Sequence, residues 1–245
     1  MEAPPPRRPT VPLRVAGITG LLGTVVLALV AADWTPLLTW DRTVAVDLHD
    51  SAVDHPGWTR ANRVLTDWVW DPWTVRALLV SAALWFLWRG DRVTAVCVLI
   101  ATAAGSALQQ ALKFAVGRER PHWPDPVATA HYSAFPSGHS MTAALGCALL
   151  WWLALRAGAK GWWLWGATAL AAISVAGVGF TRLYVGVHWF SDVLAGSLFG
   201  VALAALTAAA CTWWGPSGAA SGPAAAGGDP ADSGGGAPPE TPETT

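Results

Sequence analysis

The run VTAVCVLIATAAGSALQQAL, residues 93–112, contains no charged side chain and is followed at once by Lys113. About 20 mainly apolar residues are the length that an α-helix needs to cross a bilayer. Further charge-free runs occupy residues 15–32, 77–88, 140–155, 161–181 and 193–214. We therefore predict an all-α, polytopic membrane bundle of about six transmembrane helices. The run 77–88 is short unless residues 73–75 extend it.

The composition agrees with a membrane protein. The 245 residues are 53% hydrophobic and only 13% charged, whereas soluble domains average about 25% charged residues. Disordered, fibrous and disulfide-rich secreted classes are excluded. A net charge of -1 gives no basic field for nucleic acid, so we expect no nucleic-acid partner. The three cysteines, Cys97, Cys147 and Cys211, all lie in apolar runs, which favours packing roles over a disulfide or a zinc site.

The chain divides into three parts by composition. Residues 1–14 are predicted to be a cytoplasmic segment, residues 15–214 the transmembrane domain, and residues 215–245 a disordered tail rich in Gly, Pro and Ala. The first apolar run exceeds the 7–15 residues of a signal-peptide core, so we expect a retained helix. Residues 33–70, the longest polar stretch between runs, carry tryptophans and charges and suit an amphipathic segment at the membrane interface.

The orientation of the bundle follows from the Lys and Arg residues in its short loops. With Lys113, Arg120 and Arg182 set aside as candidate site residues, seven cations fall on the side of the N-terminus and five on the other. This excess predicts an N-terminus inside the cell and an extracytoplasmic site in the cell membrane. Arg118 is counted here among the ordinary loop charges.

The first candidate motif is Lys113-x6-Arg120-Pro121. Seven positions are almost two helical turns, so the two cations are predicted to share one helix face, with Pro121 discouraging further helix. Such a pair can hold an oxyanion. The alternative is a pair of cations that anchor the end of a span by reaching into the interface.

The second motif is Pro136-Ser137-Gly138-His139, directly before the run 140–155. Ser137 suits the start of a helix, where free backbone N–H groups favour an anion. Gly138 lacks side-chain bulk, so a phosphate group can approach the backbone, and His139 can donate a proton to a leaving oxygen. The alternative is a helix cap beside an incidental histidine.

The third motif is Thr181-Arg182-x5-His188-x3-Asp192. His188 and Asp192 are four residues apart, so on a helix the carboxylate can bind one imidazole nitrogen and leave the other free as a base or nucleophile. Gly186 suits a break between Arg182 and His188. If the spans alternate, all three motifs meet at one membrane face. A structural acid–histidine pair is the alternative.

In this order and spacing the three motifs resemble the type 2 phosphatidic acid phosphatase (PAP2) superfamily, which also contains the vanadium haloperoxidases and glucose-6-phosphatase. The resemblance covers the stretch from Lys113 to Asp192. It departs at Thr181, where the family has serine, and because the hydroxyl is kept we expect a small effect on phosphate contact.

The resemblance implies a role for each motif residue. His188 would attack phosphorus and form a phosphohistidine, Asp192 would orient His188, and His139 would act as general acid and then general base. The phosphate oxygens would be held by Lys113, Arg120, Arg182, Ser137 and Gly138. No metal or other cofactor is expected.

Membrane embedding favours a lipid phosphate as substrate: phosphatidic acid, phosphatidylglycerol phosphate or a polyprenyl diphosphate. The resemblance thus implies a lipid phosphatase of the PAP2 type. A lipid phosphotransferase with the same histidine chemistry remains open, as do a vanadate-dependent peroxidase and a non-catalytic lipid-phosphate-binding protein. A transporter is disfavoured, since the sequence shows no inverted repeat.

Overall fold

The computed structural model describes residues 9–214; the predicted tail, 215–245, and residues 1–8 lie outside the described part. Between residues 9 and 214 the chain forms helices and no strand. The helices are α1 (Thr10–Ala31), α2 (Thr35–Asp54), α3 (Pro56–Val64), α4 (Pro72–Trp88), α5 (Arg92–Val116), α6 (Gly138–Arg156), α7 (Trp162–Tyr184) and α8 (Phe190–Trp214). A π-helical turn, Leu65–Val69, joins α3 to α4.

Among the described helices, five are long and apolar enough to cross a membrane: α1, α5, α6, α7 and α8. The prediction of an all-α membrane bundle is confirmed, and the chain is an integral membrane protein. Helix α4 stands where the second, shortest span was expected. Its 17 residues give a length of about 25 Å, at the lower limit for a spanning helix.

Local side-chain chemistry explains where several helices begin and end. Asp71 accepts a hydrogen bond from the Trp73 N–H at 2.8 Å and caps α4, and Asp91 accepts one from the Thr94 N–H at 3.0 Å and caps α5. Helix α5 ends where Gly117 adopts a left-handed conformation, with φ of 61°. The chain therefore leaves the helix four residues after Lys113.

Helix α8 occupies the centre of the bundle and packs most extensively against α6 and α1. The main apolar core joins side chains of α4, α5, α6 and α8; its fully buried members include Leu79, Val98 and Leu149. The three cysteines are free and lie within α5, α6 and α8. The core thus packs α4 against α5, α6 and α8, three of the helices whose ends carry the motifs.

The outer faces of the spanning helices are apolar, as lipid contact requires. Leu21, Ile100 and Leu170 are all more than half exposed in the isolated chain. Exposed tryptophans stand at helix ends, among them Trp88, Trp162 and Trp214, where the amphipathic indole ring suits the interface.

Helix α2 lies in the segment predicted to be amphipathic. Its buried residues, Asp41, Ala45, His49 and Ala52, recur every three or four positions and form one face. This face packs against α7 and α8. The packing carries a buried carboxylate, Asp41, to the start of α8, where its Oδ1 atom accepts the Ser191 N–H.

Close packing of α8 on α6 gives a prediction for stability. A Cβ atom at Gly200 would lie 2.5 Å from the Met141 carbonyl oxygen and 2.9 Å from the Leu145 nitrogen, both backbone atoms of α6. Overpacking of this kind costs about 1–3 kcal/mol. We expect Gly200→Ala to lower the thermal unfolding midpoint of the detergent-solubilised protein. Gly166→Ala is the matched control, because a Cβ atom there meets nothing within 4 Å; equal midpoints for the two variants would contradict the packing.

Candidate active site

The predicted site residues all lie at one end of the bundle, at helix ends or in the segments joining them. Lys113 is in the last turn of α5, His139 opens α6, Arg182 is in the last turn of α7 and Asp192 is in the first turn of α8. Arg120 lies in the segment after α5, and His188 lies between α7 and α8. The structure therefore brings the three motifs together across four helices.

His188 and Asp192 form a buried pair, with side-chain exposures of 2% and 0%. His188 Nδ1 lies 3.3 Å from Asp192 Oδ2, and the same oxygen accepts the Trp189 N–H at 2.9 Å. Helix α8 begins only at Phe190, so His188 precedes the helix rather than sharing its face. The contact forms because Asp192, in the first turn, reaches back over the helix start.

The environment of His188 keeps its imidazole neutral. Burial lowers the pKa of His188 well below its ordinary value, and the positive charges of Arg120, Arg182 and Lys113 lower it further. A neutral ring that donates Nδ1–H to Asp192 has its lone pair on Nε2. That atom faces the Arg120 guanidinium, with 3.2 Å between His188 Nε2 and Arg120 Nη1. His188 is thus arranged as a nucleophile or a base.

Arg120 is fixed by backbone carbonyl groups from two segments. It donates to the carbonyl of Val187, next to His188, at 2.5 Å and to that of Tyr132 at 2.9 Å. Lys113 donates to the Ser133 carbonyl oxygen, which also lies 3.5 Å from Arg120 Nη2. The loop carbonyls of residues 132 and 133 therefore hold both cations at the site.

The predicted reason for the meeting of Lys113 and Arg120 is wrong. The two were expected to share one face of a continuous helix. The left-handed turn at Gly117 ends α5, and Arg120 lies in a non-helical segment. Their common carbonyl acceptor at Ser133, rather than helical periodicity, brings the two side chains together.

Arg182 is the most deeply buried of the three cationic phosphate-binding candidates. Its Nη1 atom donates to Thr66 Oγ1 at 3.3 Å, and its buried Nε atom has no partner in the described part of the chain. Thr66 lies in the π-helical turn, a feature found frequently at functional sites. Sequence analysis missed Thr66, because nothing in its local sequence distinguishes it. Gly186, with φ of 69°, provides the expected break after α7.

Ser137 caps α6, as predicted. Its Oγ atom lies 3.5 Å from the Ser140 nitrogen and 3.1 Å from Ser140 Oγ. The Ser137 N–H donates to the Asp192 main-chain carbonyl at 3.0 Å, which ties the second motif to the third. His139 follows in the first turn and lies within electrostatic range of Arg182, His188 and Arg120.

The structure gives a second reason, besides the predicted one, for a glycine at position 138. A Cβ atom here would lie 2.4 Å from the side-chain nitrogen of Gln109 on α5. The absent side chain therefore makes room for Gln109. Approach of phosphate to the Gly138 backbone stays a prediction.

Arg118, counted from the sequence as an ordinary loop charge, contacts the site directly. Its Nη1 atom donates to Asp192 Oδ1 at 2.6 Å, and its Nη2 atom donates to Asp41 Oδ2 of α2 at 2.8 Å. The only sequence feature that indicated a site role for Arg118 was its position two residues before Arg120. No sequence feature indicated such a role for Asp41.

Cavities in the described part of the chain adjoin Arg120 and Arg182. One, of about 670 Å³, is lined by Arg120, Tyr132, Ser133 and Val187 among others. A smaller one, of about 110 Å³, lies between Arg182, Thr66 and Arg63. Among residues 9–214, no group of three or more His, Cys, Asp or Glu side chains is placed to hold a metal ion. Glu119 also lines the larger cavity and Asp67 the smaller one, while the cationic side chains of Arg120 and Arg182 suit an anionic ligand.

Comparisons with known proteins agree with this geometry. The family model described as "PAP2 superfamily" matches residues 94–215. A curated relative from Sulfolobus acidocaldarius, named undecaprenyl-diphosphatase, is 28% identical over 141 residues, which are 55% of this chain and 59% of that relative. The chain thus matches about three fifths of that relative's length.

A solved structure has the same fold. The crystal structure of a transmembrane PAP2 type phosphatidylglycerolphosphate phosphatase from Bacillus subtilis superposes with a TM-score of 0.67 at 20% sequence identity. The superposition covers 78% of this chain and 93% of that one. With all three motifs at one end of a membrane-embedded helical bundle, and with the family match extending from α5 to the end of α8, this chain belongs to the PAP2 superfamily.

Proposed function

We propose that the protein is a membrane phosphatase that hydrolyses a phosphomonoester or diphosphate of a lipid through a phosphohistidine intermediate, without a metal ion. The observation that carries this proposal is the position of the His188 ring between a carboxylate and a guanidinium. Its neutral imidazole is held between Asp192, 3.3 Å from Nδ1, and Arg120, 3.2 Å from Nε2. A fixed tautomer with a lone pair facing an anion-binding cation is the arrangement that a phosphoryl acceptor needs.

In the first step His188 Nε2 attacks phosphorus. The bond between phosphorus and the leaving oxygen breaks, and His139 gives that oxygen a proton. Phosphoryl transfer depends mainly on positioning and on stabilisation of the negative charge of the transferred group. Lys113, Arg120 and Arg182 supply that stabilisation, and the unpaired Nε–H of Arg182 is a free donor for a phosphate oxygen.

In the second step a water molecule gives a proton to His139 and attacks the phosphohistidine. The bond between phosphorus and Nε2 breaks, and inorganic phosphate leaves. His188 returns to its neutral form with Nδ1–H still donated to Asp192. The carboxylate favours the positive charge that the ring carries while Nε2 is phosphorylated.

The proposed substrate class is a phosphate or diphosphate head group on a lipid. A lipid substrate is supported by the position of the candidate site at the ends of membrane-spanning helices and by the names of the two similar proteins, which refer to lipid phosphates. Phosphatidic acid, phosphatidylglycerol phosphate and a polyprenyl diphosphate share the terminal phosphate that the cations would hold.

The chemistry can be tested by phosphate release from these three lipids by the purified protein with EDTA present. We expect release to continue with the chelator, because three cationic side chains supply the charge, and to stop in His188→Ala. Loss of activity in EDTA that is restored by added metal would contradict the metal-free mechanism. Normal rates in His188→Ala would contradict the nucleophile. Transfer of phosphate to an added alcohol without release would favour a phosphotransferase.

The two roles of His139 can be separated with p-nitrophenyl phosphate. Its leaving group departs as a stable anion and needs no proton, so His139→Ala should still form the phosphohistidine and then hydrolyse it slowly. We expect a burst of p-nitrophenolate and an acid-labile phosphoenzyme that wild type does not accumulate. A variant that forms no phosphoenzyme at all would contradict the assignment of His139 to proton transfer.

The charge of Lys113 gives a prediction for the pH profile. Because that charge lowers the pKa of His188, Lys113→Gln should raise the pKa and protonate the nucleophile at a higher pH. We therefore expect the acid limb of the kcat/KM profile to move to higher pH. The same substrate is used for wild type and Lys113→Gln, so that the titration of the substrate cancels in the comparison. An acid limb that stays in place or moves to lower pH would contradict the predicted influence of the Lys113 charge on His188.

We further propose an extracytoplasmic site in the cell membrane. Thr129 is exposed in the loop beside the site, and Ala157 is exposed in the turn after α6 at the opposite end of the helices. In intact cells, Thr129→Cys should react with a membrane-impermeant thiol reagent, whereas Ala157→Cys should react only after permeabilisation. The reverse pattern would place the site in the cytoplasm.

A further inference from the structure

The acidic partner of His188 is itself held by a buried network. Asp192 Oδ2 serves the His188 ring and the Trp189 N–H, and Asp192 Oδ1 is occupied by Arg118 Nη1 at 2.6 Å. These contacts leave the carboxylate little freedom to rotate. The orientation of the ring that Asp192 directs therefore depends on Arg118.

Arg118 is in turn held by Asp41. The Asp41 carboxylate accepts Arg118 Nη2 at 2.8 Å and Ser191 Oγ at 2.5 Å through Oδ2, and accepts the Ser191 N–H at 2.8 Å through Oδ1. Ser191 Oγ also accepts a hydrogen bond from Arg118 Nη1 at 2.7 Å. Asp41 is 1% exposed, so its charge is balanced inside the protein by this one guanidinium and by the start of α8.

The fork of the arginine suits this position. A guanidinium presents several donors in one plane, so Arg118 can bind two carboxylates at once, whereas an ammonium group on a lysine cannot match that geometry. The Trp189 ring covers Arg118, with 5.5 Å between the guanidinium carbon and the ring centroid. The network is thus fixed by hydrogen bonds on one side and by an aromatic ring on another.

We propose that Asp41 of α2, acting through Arg118, is a positioning residue that holds Asp192 toward His188. The proposal rests on the phosphatase function proposed above. Asp41 lies outside the region that the family model matches, which begins at residue 94. The N-terminal part of the chain thereby completes the site rather than only surrounding it.

The test compares Asp41→Asn with Asp47→Asn, a change of the same kind at an exposed position on the same helix. Lys113, Arg120 and Arg182 do not contact Asp41, so phosphate binding should be preserved. We expect Asp41→Asn to lower kcat by about 10- to 100-fold, the range seen when contacts that orient a functional histidine are removed, with KM changed less than about twofold. Asp47→Asn should match wild type in both constants.

Arg118→Lys keeps the positive charge and should lower kcat in the same way, because a lysine cannot bridge both carboxylates. Arg156→Lys is its control, since Arg156 pairs with Asp91 at 2.9 Å at the opposite end of the helices. The double variant Asp41→Asn/Arg118→Lys should be no slower than the slower single variant, since both changes break one path. If the losses of kcat in the two single variants multiply in the double variant, the proposal is overturned.

Further outcomes also decide between the positioning role and its absence. A kcat of Asp41→Asn equal to that of Asp47→Asn, or a raised KM with kcat unchanged, overturns the positioning role. If Asp41→Asn is not recovered folded, Ser191→Ala removes the two hydrogen bonds of Ser191 Oγ, to Asp41 and from Arg118, and no charge. A lower kcat at unchanged KM then supports the network, and an unchanged kcat overturns it. Failure of the phosphatase function itself would appear separately, as a wild-type protein that releases no phosphate.

Discussion

The contact between the His188 ring and the Asp192 carboxylate, at the point where α8 begins, is the interaction on which the rest of the site depends. The same residue accepts the Ser137 N–H through its main-chain carbonyl, 3.0 Å away. Asp192 therefore connects the start of α8, the segment that carries His188, and the start of α6 with His139. A change in its position would move both histidines.

A buried carboxylate such as that of Asp192 is stable within a membrane protein only if backbone donors and an opposite charge lie close to it. The α6–α8 contact provides the close approach: a Cβ atom at Gly196 would lie 2.6 Å from the carbonyl oxygen of Ser137, which caps α6, and one at Gly200 would lie 2.5 Å from a backbone oxygen of α6. Small residues allow helices in a membrane to approach in this way. Arg118 provides the opposite charge. Buried polar groups without partners are costly in lipid. The Asp192 carboxylate therefore requires both the close helix packing and the charge pairing at the start of α8.

The sequence was sufficient for the helical membrane fold and for most of the residues at the site, because both depend on local patterns. Uninterrupted apolar runs predict the spans, and the motifs stand at the ends of those runs. Reasoning from helical spacing was wrong for Arg120, where a single left-handed glycine ends α5. It also missed Asp41, which meets Arg118 from 77 positions away and Ser191 from 150. These contacts follow from how helices pack, and periodicity within one segment does not describe that.

The position of each charge along its helix has a common physical reason. Lys113 and Arg182 lie in the last turns of α5 and α7, where the helix dipole favours positive charge, and Asp192 lies in the first turn of α8, where it favours negative charge. His139 stands at the start of α6, so free backbone N–H groups face the same region. Antiparallel spans bring these ends to one side, where the C-terminal dipoles of α5 and α7 stabilise the two cations and the N-terminal dipole of α8 stabilises the carboxylate. The bundle itself therefore contributes to the field in which phosphoryl transfer is proposed to occur.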